Sequence, residues 1–444
     1  MAALCTDFFA LNYDVLSLVL ALISVQDAKQ LALVSHQAYA LAMPRILADV
    51  SLGGAFHKPS SIPATRQLTG FCAFMLADDR ERLPCLQSLE IRRDAVRSRV
   101  GGVWAVDSRC VELLSEVLAR AVHLQKITIW SFDSLVTAYP LIVDALGGCA
   151  RLQTVCLGGD IAPMSTLIRA FPHVRTLQFV DGRASWGPRW DTCVTPATGE
   201  AWPNLDHVES GFPVLPLAKP VRRVDIRNPL SAYGDHLENA LDYIQATRPV
   251  VLSCVVDISV LDSEFIARLP EVACNLKYLE LIIHGCESLA TITVWMTRIA
   301  ALLSPLPLLG LALYSSTPAS FPSPFSSPAA SPPSSPRLSP VPDAPAIADL
   351  SFAALDSDAI TPVAVTNRSQ PPTLRTIARD AASAIPSVRY VALQPAGPTT
   401  RNAYKPEWFV AERPRKGGAI RVRELGEREG VLVGQMLRRL DVHD

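Results

Sequence analysis

The chain opens on a helix that is apolar nearly all the way round. Leu11, Val15, Leu18, Val19 and Leu22 recur at helical spacing and form one face, while Leu16, Leu20 and Ile23 form a second. A helix on the surface of a globular domain keeps that second side polar. Only Tyr13, Asp14, Ser17 and Ala21 interrupt the ring. The pattern therefore predicts one face, along Val15 and Val19, for the helix's own domain and another, along Leu16 and Leu20, for a partner. A second helix is expected after Ser24, which can cap it together with Asp27 three residues on. It carries Leu31, Leu33 and Val34, and a third segment around Tyr39, Leu41 and Met43 runs into Pro44.

Beyond this helical start the pattern becomes a repeat. LQSLEI begins at Leu86, LQKITI at Leu124, LQTVCL at Leu152 and VRTLQF at Val174. LDHVES follows at Leu205, VRRVDI at Val221, VLSCVVDI at Val251, LKYLEL at Leu276 and VRYVAL at Val388. Each reads apolar-x-x-apolar-x-apolar or close to it, at uneven spacing, and Cys110 to Ala121 and Leu141 to Leu146 between them have helical patterns. One strand and one helix cannot bury their apolar sides alone, so such units stack into an array with a continuous core. The last two apolar positions of each motif, Ile127 and Ile129 for example, are expected to point into that core. The alternate positions should line a concave sheet face. They are Glu90 and Arg92; Lys126, Thr128 and Trp130; Gln178; His207 and Glu209; Arg223, Asp225 and Arg227; and Tyr278 and Glu280.

Two stretches break the repeat. Asp181 to Trp202 is a long connection holding Trp186, Trp190 and Trp202, a residue type suited to anchoring a partner. Ser315 to Pro345 is almost wholly Ser, Pro and Ala, a composition that cannot bury enough apolar surface to offset its ordering entropy. After it a helix and a strand resume over TLRTIARDAASAIPSVRYVAL. Trp408 to Val410 and Ala419 to Leu425, joined across Gly417 and Gly418, read as a terminal hairpin. A last helix with Leu432, Met436 and Leu440 on one side should close the end of the array. The expected organisation is an α/β chain with a helical module over 9–50, an array over 51–314, a disordered Ser/Pro-rich loop over 315–346 and the end of the array over 347–444.

The order Leu-x-x-x-Val-Leu-x-x-Val-Leu, then Asp-x-x-x-Leu-x-Leu-Val-Ser, then Leu-Ala and Pro resembles an F-box, over roughly Phe9 to Val50. It departs from the family at Asn12, where proline is usual, and at Ala38, where a large aromatic is common. Asn12 still serves as a helix cap. The repeats are similar in pattern to the leucine-rich-repeat-like arrays that follow an F-box in a large family of fungal proteins. The resemblance implies a three-helix F-box followed by an irregular solenoid, with a Skp-type adaptor, and through it a cullin, docking on Leu11, Asn12, Leu16, Leu20, Leu31 and Val34. It implies a protein target on the repeat face, where Lys126, Trp130, Arg223, Arg227 and Tyr278 are the expected contacts.

Composition narrows the alternatives. Lys plus Arg number 41 against 42 acidic residues, a net charge of −1 that argues for neither nucleic acid nor membrane. The ten cysteines are scattered without a CxxC pair, which fits a reducing compartment, cytoplasmic or nuclear, and supplies no zinc site. VLSLVLALISV could serve as a signal-peptide core, but Asp7 and Asp14 flank it where positive charge belongs, and no small-residue cleavage site follows. Ala290 to Tyr314 is cut by Arg298, Pro305 and Pro307 and does not read as a membrane span. No nucleophile elbow, zinc-protease, P-loop or dinucleotide motif is present, and His123, His173 and His207 have no carboxylate at useful sequence spacing. The expectation is a chain with no enzymatic activity and no cofactor: the substrate receptor of a ubiquitin ligase, or alternatively a repeat scaffold with no ligase role.

Overall fold

The structure is a computed structural model, and it describes residues 12–53, 64–100, 103–159, 162–180, 202–211, 217, 219–230, 236–257, 260, 264–285, 289–316, 373–394, 405–414 and 419–441. The Ser/Pro-rich segment, apart from Ser315 and Ser316, and the connection holding Trp186 and Trp190 lie outside the described residues, as does Leu11.

Three helices lead: α1 (Tyr13–Leu22), α2 (Val25–Leu31) and α3 (His36–Ala48). Their starts follow the side-chain chemistry. Asn12 accepts a hydrogen bond from the Asp14 amide at 3.0 Å, Ser24 accepts one from Asp27 at 3.1 Å, and Ser35 accepts one from Ala38 at 3.0 Å. Pro44 does not end the third helix; α3 runs through it to Ala48 and hands the chain directly to a strand.

That strand is β1 (Asp49–Leu52), followed by β2 (Ser88–Ile91), a separate hairpin of β3 (Arg97–Val100) and β4 (Val103–Val106), then β5 (Lys126–Trp130) and β6 (Thr154–Gly158). Next come β7 (Thr176–Val180), β8 (His207–Ser210), β9 (Arg223–Leu230), β10 (Val251–Asp257) and β11 (Tyr278–His284). The chain ends its strands with β12 (Gly310–Ser316), β13 (Tyr390–Gln394), β14 (Glu407–Glu412) and β15 (Arg421–Glu424). All except β3 and β4 form one open sheet in chain order, parallel from β1 to β13 and antiparallel over the last two strands. The terminal hairpin is where the sequence puts it. β1 and β12 carry no readable motif, yet both are full members of the ladder.

Parallel neighbours need a crossover, and helices are described in the connections on either side of the β7–β9 stretch. They are α4 (Ala64–Ala77), α5 (Asp79–Arg82), α6 (Ser108–Arg120), α7 (Phe132–Ala138), α8 (Ile142–Gly147), α9 (Met164–Ala170), α10 (His236–Thr247), α11 (Glu264–Val272), α12 (Leu289–Leu303) and α13 (Leu374–Ala384). Alpha packing is sequential: α4 on α6, α6 on α8, α8 on α9, and α10 through α13 each on the next. The core lies between this helix row and the sheet. Leu89, Ile127, Val155, Leu177, Val208, Val224, Leu252, Leu279, Leu311 and Val391 occupy one register row of the ladder and are all buried in it. Each buried side chain of that size contributes roughly 1.5–3 kcal/mol.

The last helix, α14 (Glu427–Leu437), does not cap the end of the sheet. It lies across the opposite face, where Leu437 and Leu440 pack with Tyr278, Ala312, Ala392 and Trp408. Its buried stripe is Gly430, Gly434 and Leu437, continued by Leu440 just past its end, while Leu432 and Met436 are exposed. Small residues permit the approach: a Cβ on Gly434 would stand 2.8 Å from the Trp408 ring, and one on Gly310 would stand 2.7 Å from Leu437. Among the described residues no helix is long and apolar enough to cross a membrane.

Candidate functional site

The N-terminal helices present apolar surface to solvent, but on the side opposite to the one the sequence pattern suggests. Leu16 and Leu20 are 4% and 8% exposed, whereas Leu18 and Leu22 are 65% and 84% exposed, with Val15 and Val19 beside them on the open side. The reason is the packing of α1 against α3, which takes up the Leu16 and Leu20 edge. Leu16 and Leu20 are therefore interior residues. Leu33 and Val34, in the turn after α2, are also exposed, Leu31 is half-buried and Asn12 is exposed.

The second feature is the sheet face away from the crossover helices. Because the ladder is in register, one row of outward residues runs Ser51, Glu90, Thr128, Cys156, Gln178, Glu209, Asp225, Ser253, Glu280 across nine strands. The same row continues as Ala312, Ala392 and Trp408. Mostly polar residues fill the half that α14 leaves open, and beyond Glu280, which meets Arg438, the covered half is small or apolar.

The carboxylates in this row are matched by neighbouring donors. Glu90 accepts from Ser51 Oγ at 2.8 Å and from Arg92 Nε at 3.0 Å. Burial alone would raise its pKa, but those bonds and the charges of Arg92 and Lys126 hold it below the usual carboxylate range. Glu209 accepts from Gln178 at 3.1 Å and from Arg227 Nε at 2.8 Å. Asp225, with no exposed side-chain surface, accepts from Arg223 at 3.0 and 2.7 Å and from His207 Nε2 at 3.0 Å. Burial opposes ionisation there too, yet the His207 and Arg223 bonds and their charges bring the pKa down to about 2. The partner that His207 lacks in nearby sequence thus comes from the adjoining strand.

His207, Glu209 and Asp225 bring potential ligand atoms within 4.8 Å of one another. Two guanidinium groups already occupy these carboxylates, so a metal ion would have to displace charge that is in place. The cluster is a structural ion network.

The predicted contact residues divide accordingly. Lys126 is exposed, and Arg227 is exposed but tied to Glu209. Trp130 is half-buried, its ring lying over the opposite residue of the next strand, Gly158, where a Cβ would come within 2.4 Å of it. Arg223 is committed to Asp225. Tyr278 is wholly buried under α14 and offers no surface, because the C-terminal helix covers that part of the face. Trp202 is buried as well, and its carbonyl accepts from Lys219. Covering by α14 has a signal in sequence only in retrospect: Gly310, Ala312 and Ala392 are small residues at outward strand positions. No protein-family model matches the chain, and no curated protein matches it.

Proposed function

We propose that this chain is the substrate-recognition subunit of a Skp–cullin–F-box ubiquitin ligase. Its three N-terminal helices act as an F-box-like module that docks a Skp-type adaptor, and through it a cullin. The sheet, read as an irregular leucine-rich-repeat-like solenoid, holds a protein target on the open half of its polar face. The chain makes and breaks no bonds in this reading. It raises the effective concentration of the target near the charged conjugating enzyme. Such a role belongs in the cytoplasm or nucleus.

The observation that carries the proposal is the exposed apolar stripe of Val15, Leu18, Val19 and Leu22 on a helix whose other edge is already buried. An exposed apolar stripe of this kind supports a partner-docking reading. Asn12, Leu31, Leu33 and Val34 extend the proposed docking surface. Co-purification with a Skp-type adaptor tests it. Wild type should capture the adaptor, and Leu18→Asp/Leu22→Asp should lose capture while the sheet unfolds at an unchanged temperature. Equal capture by both proteins would reject the docking face.

One observation favours a second reading, in which the helices only cap the sheet of an interaction scaffold. Leu47 belongs to the main core, Met43 packs against it, and α3 leads straight into β1. On that reading neither protein captures the adaptor.

A further inference from the structure

A cleft of about 600 Å³ opens between α14 and the β12–β15 end of the sheet, away from both surfaces described above. That volume is within the range of small-ligand sites. Val410, Leu425 and Val433 form an apolar wall with Tyr390, and the rim is charged.

The rim charges are unequal in what they have to bind. Arg423 lies 3.3 Å from Glu429 and 3.7 Å from Glu412, so both carboxylates are met there. Arg413 donates to the carbonyls of Val388, Ala382 and Ile385 and is spent on closing α13. Arg389 is exposed and has no carboxylate within ion-pair distance among the described residues; its guanidinium stands 5.4 Å from the centroid of the Tyr390 ring. The cleft therefore has an uncommitted planar fork of donors beside an aromatic face and an aliphatic wall.

We propose that this cleft binds a carboxylate joined to a short apolar body. The Arg389 guanidinium matches a carboxylate in a bidentate geometry, and the wall of Tyr390, Val410 and Val433 takes the apolar part. Glu412 and Glu429 at the rim disfavour a doubly charged group such as phosphate. Two molecules carry this chemistry: a free medium-chain acid, and the last residue of a peptide ending in an apolar side chain. The inference does not depend on the adaptor reading.

Isothermal titration of the full chain tests it with octanoate and with acetyl-Gly-Ser-Gly-Leu bearing a free C-terminus; octanol and the C-terminally amidated peptide are the neutral counterparts. At least one carboxylate should bind with one-to-one stoichiometry. Its neutral counterpart and Arg389→Gln should each weaken that binding about tenfold or more. Binding of octanoate alone assigns a free acid, and binding of the peptide alone assigns a chain end. Arg389 is exposed, so the variant should keep the wild-type unfolding midpoint. Absence of binding by both carboxylates, equal binding of the neutral compounds, or wild-type affinity in Arg389→Gln would overturn the proposal.

Discussion

Arg438, just past the end of α14, sets its Nη2 and Nε atoms 3.0 and 3.2 Å from Oε2 of Glu280 in the middle of the sheet. Glu280 is almost fully buried and also accepts from Tyr278 at 3.3 Å and Ser253 at 3.3 Å. The pair fastens the C-terminal helix to a strand far away in sequence. Arg222 adds to it by donating to the carbonyls of Arg438 and Leu440.

Arg438→Met should then destabilise the chain by about 2–3 kcal/mol. Breaking a buried pair usually costs about 3–5 kcal/mol by leaving a charge uncompensated, and the partial exposure of Arg438 reduces that. Adding Glu280→Gln should recover part of the loss, since the stranded charge is gone. Urea unfolding of the single and double variants measures both. A double variant no more stable than Arg438→Met would mean that the charge is not the source of the cost.

The close approach of α14 to the sheet gives an independent expectation. Gly434→Leu places a side chain where the Trp408 ring already stands 2.8 Å from the Cβ position. Overpacking of this kind costs about 1–3 kcal/mol. The helix should lift and expose Tyr278 and Trp408, which hydrogen exchange over β11 and a red shift of tryptophan emission would detect. Unchanged exchange would show that the ring turns aside instead.

Much of this arrangement is legible along the chain and some of it is not. The motif positions at Leu124, Ile127 and Ile129 identify strand and core together, because alternation ties burial to parity. The inward row keeps that parity across the main sheet from β2 to β11. It does not reveal that Tyr278 and Glu280 are covered, since an outward residue looks the same whether water or a distant helix lies above it. The first helix fails differently. With apolar residues on two sides, periodicity cannot decide which edge α3 takes, and the choice of Leu16 and Leu20 for the interior depends on tertiary packing. Likewise the His207–Asp225 pair follows from strand register, which local spacing does not encode.

Asp225 should make stability depend on acid. Its folded pKa of about 2 lies below the ordinary value of 3.8, so its contribution is full above pH 4 and is lost as pH falls toward 2. The gap corresponds to about 2 kcal/mol. Asp225→Asn should be less stable than wild type by roughly that amount at neutral pH, and the two curves should converge between pH 4 and pH 2. Parallel curves over that range would assign the acid sensitivity to other carboxylates.

The two edges of α1 supply the last expectation. Leu16→Asp would bury a carboxylate where a leucine is 4% exposed, and desolvation of such a group costs several kcal/mol. Three short helices have little core of their own to spare, so Leu16→Asp should unfold α1 from α3, read as loss of helical signal and protease resistance over residues 12–48. Leu18→Asp places the same charge in water and should leave the helices intact, costing less than about 0.5 kcal/mol. Circular dichroism and limited proteolysis compare the two directly. Intact helices in Leu16→Asp together with unfolding in Leu18→Asp would show that the interior edge of α1 is the other one. The proposed adaptor surface would then move to Leu16 and Leu20.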